Sequence, residues 1–217
     1  MNRTSLATCT LAGLIALDIG GATAGEPLPP GVPNWTGFYF GGAAGFTRQS
    51  IDYDNLFFNG DTSLNGFYGG GFGGYNYHFT PQFLIGGEVG LGFTSLDRTA
   101  QIGGFDLRSH TPWEGHAVFR FGYLIAPQKL VYVGAGAAFG KQEVSFPNLS
   151  ESFTRVGYTV RAGVEFGQLI NGLHMGFEYS FTDFGEKTYF GDLHVGLDQH
   201  AFMIRIATTP TKAGFLP

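Results

Sequence analysis

Three segments of this 217-residue chain put apolar residues on one parity and small or charged residues on the other. In residues 155–166 one parity reads Val156, Tyr158, Val160, Ala162, Val164 and Phe166, and the other Arg155, Gly157, Thr159, Arg161, Gly163 and Glu165. Period two places successive side chains on opposite faces of a β-strand, so this strand has two faces of unlike chemistry. Residues 83–94 set Phe83, Ile85, Val89, Leu91 and Phe93 against Leu84, Gly86, Glu88, Gly90, Gly92 and Thr94. Residues 173–182 set Leu173, Met175, Phe177, Tyr179 and Phe181 against His174, Glu178, Ser180 and Thr182.

Eight such strands are predicted, over residues 35–48, 65–78, 83–94, 113–124, 130–140, 155–166, 173–182 and 200–209. The connections alternate in length: 79–82, 125–128 and 168–171 are tight, whereas 49–64, 95–112, 141–153 and 183–199 are long. An even number of tilted strands of about ten residues, joined by short periplasmic turns and long outer loops, is the layout of an antiparallel up-and-down transmembrane β-barrel. Composition agrees, with 36 Gly, 23 Phe and only 13% charged residues, unusual for a soluble enzyme. The first two strands carry glycine on both parities, which leaves their facing open.

The N-terminus reads as a secretory signal over residues 1–24, with Arg3, an apolar stretch at 11–19 and Ala22-Thr23-Ala24 as the cleavage motif. Four prolines make residues 25–34 an extended periplasmic leader, residues 35–209 the barrel and 210–217 a C-terminal tail. The only cysteine, Cys9, falls in the signal, so the barrel has no disulfide to rely on. A net charge of −5 gives no basis for a nucleic-acid partner.

Trp35-Thr36-Gly37-Phe38-Tyr39 with Gly41-Gly42, Gly74-Tyr75-Asn76, Gly87-Glu88, Arg120-Phe121-Gly122-Tyr123 and Tyr132-Val133-Gly134 are followed by Arg155-Val156-Gly157-Tyr158-Thr159-Val160 with Gly163-Val164-Glu165. The run Glu178-Tyr179-Ser180-Phe181-Thr182-Asp183-Phe184-Gly185 completes the set. Together they resemble the landmarks of the small outer-membrane immunogenic proteins, the opacity-type, porin-like eight-stranded barrels of Gram-negative bacteria. The resemblance runs from Trp35 to about Ile206 and implies an outer-membrane location and insertion by the outer-membrane machinery. Members of that family usually close on an aromatic residue, whereas this chain reads on through Pro210 to Pro217, with Phe215 nearby.

If the apolar parity faces lipid, Glu88, Arg120, Arg161, Glu165, Glu178 and Arg205 face the lumen, three acids against three bases. An eight-stranded lumen is filled by side chains, and an unpaired charge in it costs on the order of several kcal/mol. The six are therefore expected to form a neutral network, with Glu114 and Arg155 on the same parity at a wet outer rim. Aromatic girdles are expected at both ends: Trp35, Phe38, Tyr75, Tyr77, Phe83, Phe121, Tyr123 and Phe166 at the periplasmic one, and Phe46, Phe67, Phe93, Phe139, Tyr158, Tyr179 and Phe181 towards the outer one.

Catalytic and cofactor signals are weak. Residues 69–74 match G-x-G-x-x-G, but a tyrosine-rich strand and a proline turn follow in place of a helix, so no phosphate cradle forms. The six histidines lack metal-ligand spacing, and no cofactor or metal is expected. A lipid-modifying barrel enzyme is an alternative, with Ser109-His110 and Ser180 as its nearest candidates. The long loops carry a net −7, which opposes direct contact with anionic lipopolysaccharide unless divalent cations bridge. Tyr53, Phe57 and Phe58 in the first loop form either an adhesive patch for host or envelope partners or rim packing. The reading is a non-enzymatic integral outer-membrane barrel with a structural and surface-interaction role, a narrow porin for small solutes being the transport alternative.

Overall fold

The period-two segments pair in sequence order until the last strand meets the first. The computed structural model describes residues 35–55, 58–102, 105–146, 149–167, 172–189 and 193–209. The expected signal, leader and tail, together with Phe57, lie outside them. Eight strands follow one another: β1 (Gly37–Asn55), β2 (Phe58–His78), β3 (Phe83–Ile102), β4 (Phe105–Ala126), β5 (Lys129–Phe146), β6 (Leu149–Phe166), β7 (Leu173–Tyr189) and β8 (Leu193–Thr208). Every neighbouring pair is antiparallel, and β1 pairs with β8 from Phe40↔Thr208 to Asp54↔His194, closing the barrel. Closure leaves no strand edge, the condition under which a sheet can sit in hydrocarbon with its backbone polar groups satisfied.

The strands run 16 to 22 residues, where about ten suffice to cross an apolar band of ~25 Å. The excess lies at one end. Segments expected as long loops are largely continuous ladder: Gln49↔Leu64 runs on to Asn55↔Phe58, Leu96↔Thr111 to Ile102↔Phe105, Lys141↔Thr154 to Phe146↔Leu149 and Glu186↔Gly196 to Tyr189↔Leu193. The long connections are thus four hairpin ribbons that prolong the barrel wall, the first and fourth joined through β1–β8 as far as Asp54↔His194 and the second and third through β4–β5 as far as Arg108↔Ser145. Their sequences carry polar residues on both parities, so the apolar–polar alternation that marks a membrane-crossing strand is weak there.

The exposed wall is apolar. Phe38, Phe40, Phe46, Phe67, Val89, Leu91, Phe93, Phe119, Val133, Val156, Tyr158, Val160, Phe177, Phe202, Ile204 and Ile206 all point outward and are exposed. The facing of the first two strands is settled by three aromatic residues on the other parity: Tyr39, Tyr68 and Phe72 are buried inside with Ala43, Ala201, Met203 and Ala207. Two further apolar clusters occupy the ends of the lumen. Trp35, Leu84, Leu124, Leu130 and Tyr132 pack at the short-turn end, and Leu64, Leu96, Ala138, Phe184 and Leu197 at the ribbon end. Trp35, expected in the periplasmic girdle, is 4% exposed and packs its ring 4.6 Å from that of His174. It precedes β1, so it is free of the strand's alternation and folds across the bore.

Glycine on the inward parity makes room for the large inward chains. A Cβ on Gly163 would lie 2.5 Å from the Tyr132 ring, and one on Gly74 would lie 2.5 Å from the Tyr39 hydroxyl. At Gly136 the added carbon would instead strike the Ala117 carbonyl and the Val118 Cα of the adjacent strand, which cannot rotate away. Outward-facing Gly87 has open space around it. Gly136→Ala is therefore expected to destabilise the folded barrel by roughly 1–3 kcal/mol and Gly87→Ala to leave it unchanged, compared by denaturant midpoints of the heat-modifiable folded form.

Candidate functional site

Alternation fixes which side chains enter the lumen, and register fixes which of them meet. Glu88 from β3, Arg120 from β4, Arg161 and Glu165 from β6, Glu178 from β7 and Arg205 from β8 all point inward and are buried. Adjacent strands place Gly74 beside Glu88, Gly86 and Gly134 beside Arg120, Gly163 beside Glu178 and Gly176 beside Arg205. Each long charged chain thus starts next to a residue with no side chain and reaches across the bore.

Their tips form one connected network. Arg120 donates from Nη1 to Glu88 at 3.1 Å and from Nη2 to Glu165 at 2.7 Å. Arg205 donates from Nη1 to Glu178 at 2.7 Å and to Glu88 at 3.0 Å, with Glu165 3.8 Å from its Nε. Arg161 donates to Glu178 at 2.9 Å. Arg205 is therefore the hub, within ion-pair distance of all three carboxylates, whereas Arg161 meets a single one. With three charges of each sign, the six side chains neutralise one another away from water, the condition under which burying ions is tolerable.

Three further residues belong to the network. Tyr39 donates its hydroxyl to Glu88 at 2.9 Å and accepts from Arg120 at 2.7 Å. Tyr132 donates to Glu178 at 2.6 Å, and the His116 Nε2 lies 3.3 Å from Glu88. The guanidiniums also stack, Arg120 with its Cζ 3.9 Å from the Tyr132 ring centroid and Arg205 3.8 Å from that of Phe72. His116 is inward by parity, but nothing in a strand pattern reveals that a buried carboxylate awaits it. Tyr39 and Tyr132 carry no formal charge, and only their inward parity opposite Gly74 and Gly163 marks them.

Beyond the charges, towards the ribbons, the lumen is polar but tight. Arg155, expected at a wet rim, is only 4% exposed, and it shares a small space with Phe184 and Leu197. Glu114 accepts both carboxylate hydrogen bonds from the Gln199 amide, at 2.9 and 3.1 Å. The space between Gln49, Thr111, Gln142, Arg155, Phe184 and Leu197 measures about 10 Å³, room for a single water.

The remaining candidates are scattered. Tyr53 lies in β1 with its backbone opposite Gly60, and Phe58 opens β2 opposite Asn55. Ser180 is buried in the lumen, and the His110 Nδ1 lies 3.3 Å from the Leu96 carbonyl oxygen. Among the described residues no group of three or more His, Cys, Asp or Glu is placed to hold a metal.

Comparison with known proteins agrees with this architecture. The family model described as "Outer membrane protein beta-barrel domain" matches residues 12–205. A 22 kDa outer membrane protein of Rhizobium leguminosarum bv. viciae is 34% identical over 176 residues, spanning 80% of this chain and 77% of its own. Among solved structures, Neisserial surface protein A superposes with a TM-score of 0.53 at 13% identity, covering 81% of this chain and 98% of that one.

The network makes a graded prediction. Arg205→Leu takes an ion-pair partner from Glu88, Glu165 and Glu178 at once and leaves the network one positive charge short, and should cost about 3–5 kcal/mol, more than Arg161→Leu, which takes a partner from Glu178 alone and leaves it Arg205 and Tyr132. Equilibrium unfolding of both variants in lipid vesicles ranks them.

Proposed function

This chain belongs to the outer-membrane protein β-barrel domain family and resides in the outer membrane, and from that premise we propose that it acts there as a closed, non-enzymatic barrel that supports the envelope and presents its ribbons to the surroundings. The observation that carries this reading is the filled lumen: an apolar cluster at each end, and between them a charge-balanced network spanning the bore. A diffusion pore needs a continuous wet path lined by groups that ions can enter and leave. Here the charged groups are held by one another, and aromatic rings sit on the guanidiniums.

The ribbons are the complementary argument. A wall roughly twice as long as a membrane crossing requires is not needed for anchoring, and residues projected beyond the bilayer are those that other molecules meet first. Tyr53 and Phe58 in the first ribbon, with Phe57 beside them in sequence, are the proposed contact residues for host or envelope partners, in a segment that also carries Asp52, Asp54 and Asp61. Of the enzymatic alternative's candidates, Ser180 faces the lumen and the His110 ring lies against the Leu96 carbonyl, which supports the non-enzymatic reading.

Two measurements test the reading. Purified protein in planar bilayers should give no large, steady conductance above a mock preparation, and a reproducible stable conductance would replace the closed barrel with a porin. Epitope tags inserted at Asn59 or Pro147 should be reached by antibody on intact cells, and tags at Pro81 or Pro127 should not; the reverse labelling would place the ribbons in the periplasm.

A further inference from the structure

Near the ribbon end the outer wall carries a cation, Arg48, that no carboxylate among the described residues neutralises. Arg48 follows Phe46 by two residues on the outward face of β1 and is exposed. Arg48 donates a 3.4 Å hydrogen bond to the Ser63 hydroxyl, and among the described residues no carboxylate lies within ion-pair distance of it. Lys141 occupies the matching position on β5, two residues beyond Phe139, but is held by Glu143 at 2.7 Å.

The surroundings of Arg48 are layered. In register beside it stand Asn65 on β2 and His200 on β8. Two residues down the wall, Phe46 is flanked in register by Phe67 and Phe202, all three rings about two-thirds exposed. Two residues further down, Ala44 faces Gly69, and Gly69 has nothing within 4 Å of where a side chain would start. The result is an outward groove of about 810 Å³ with Arg48, Ser50, Asn65, Ser95 and His200 at its upper edge and phenylalanine rings below. Two of these polar groups are already engaged. The Ser95 hydroxyl accepts the Phe67 N–H at 2.7 Å, and His200 has Tyr179 Oη 2.7 Å from Nδ1 and the Asp198 carboxylate 3.7 Å from Nε2. Arg48 remains the group with charge to offer.

We propose that this groove seats a phosphorylated membrane lipid, its headgroup phosphate on the Arg48 guanidinium and its acyl chain over the Phe46, Phe67 and Phe202 shelf. A guanidinium matches phosphate through two parallel N–H donors. A charge just beyond the last ring of an apolar wall sits at the depth where lipid phosphates lie, which a protein partner in bulk water does not reach. Asn65 supplies an amide donor on the same edge, and the low wall at Ala44 and Gly69 leaves space for a chain descending into the bilayer. The acid at the groove's edge is Asp198, which is 3.7 Å from the His200 Nε2 rather than within ion-pair distance of Arg48. The proposal rests on the outer-membrane location and is independent of whether the lumen conducts.

The test is lipid retention by the full-length barrel in detergent, read by native mass spectrometry with diphosphoryl lipid A as the probe. Wild-type protein should retain it over enzymatically dephosphorylated lipid A, Arg48→Gln should lower retention roughly tenfold, Arg48→Lys should keep part of it, and Lys141→Gln should change nothing. Heat-modifiable migration verifies that each variant is folded. Equal retention by Arg48→Gln and wild type, or equal retention of the dephosphorylated lipid, overturns the site. Displacement by millimolar inorganic phosphate as effective as displacement by lipid would make it a free-anion site, and retention by Lys141→Gln falling as far as in Arg48→Gln would make it diffuse surface charge. Both outcomes also defeat the proposal, while leaving the closed barrel to its own conductance test.

Discussion

A sheet closed through hydrocarbon has one face that must be apolar, and everything polar that the strands carry must then go to the other. In this chain the constraint drives three glutamates and three arginines into a bore too narrow for water to solvate them, so their mutual neutralisation is a condition of folding rather than an ornament on it. The hub position of Arg205 follows, because β8 pairs with β7, which carries Glu178, and its long side chain reaches across the lumen to Glu88 on β3. The inward glycines follow as well: guanidiniums and phenol rings can fill the bore only where the opposite strand gives up its side chains.

Much of this was legible before any coordinates. Barrel class, strand number, the inward parity of Glu88, Arg120, Arg161, Glu165, Glu178 and Arg205, and the apolar wall all follow from period two, because that period is the direct imprint of one face being lipid and the other not. What was not legible has physical reasons. The pairing of acids with bases depends on register and side-chain reach, which spacing along one strand does not encode. The ribbons carry polar residues on both parities and so little alternation to read, although Gln49, Leu96, Gln142 and Leu197 are buried in the structure. Trp35 was misplaced because a residue ahead of the first strand is not bound by that strand's parity, and Arg155 because it shares a small space with Phe184 of β7 and Leu197 of β8, which parity along β6 does not reveal. Tyr39, Tyr132 and His116 joined the network unannounced, since an uncharged hydrogen-bonding group inside a lumen leaves no charge signature.

The sealed interior and the exterior are linked. A bore filled by hydrogen-bonded charges and capped by rings leaves the barrel's chemistry to its outer surfaces, the ribbons beyond the bilayer and the wall within it. On the wall the asymmetry between Lys141, paired with Glu143, and Arg48, without a carboxylate partner among the described residues, singles out one sector at β8–β1–β2. The same sector carries the clustered phenylalanines and the small residues beneath them, so charge and shape coincide there.

The account's central claim is that the lumen is dry and closed at the level of the charge network, and site-directed thiol labelling tests it most directly. The chain's only cysteine, Cys9, lies in the expected signal, so single cysteines can be introduced into the mature barrel against a silent background. Ser180→Cys and Ala201→Cys, both facing the bore, should resist a small membrane-impermeant thiol reagent applied from either side of a reconstituted bilayer, and react only after unfolding. Rapid labelling of either cysteine in the folded barrel would contradict the account, because it would mean that water and solutes already pass where the arginines and glutamates are held to close the way.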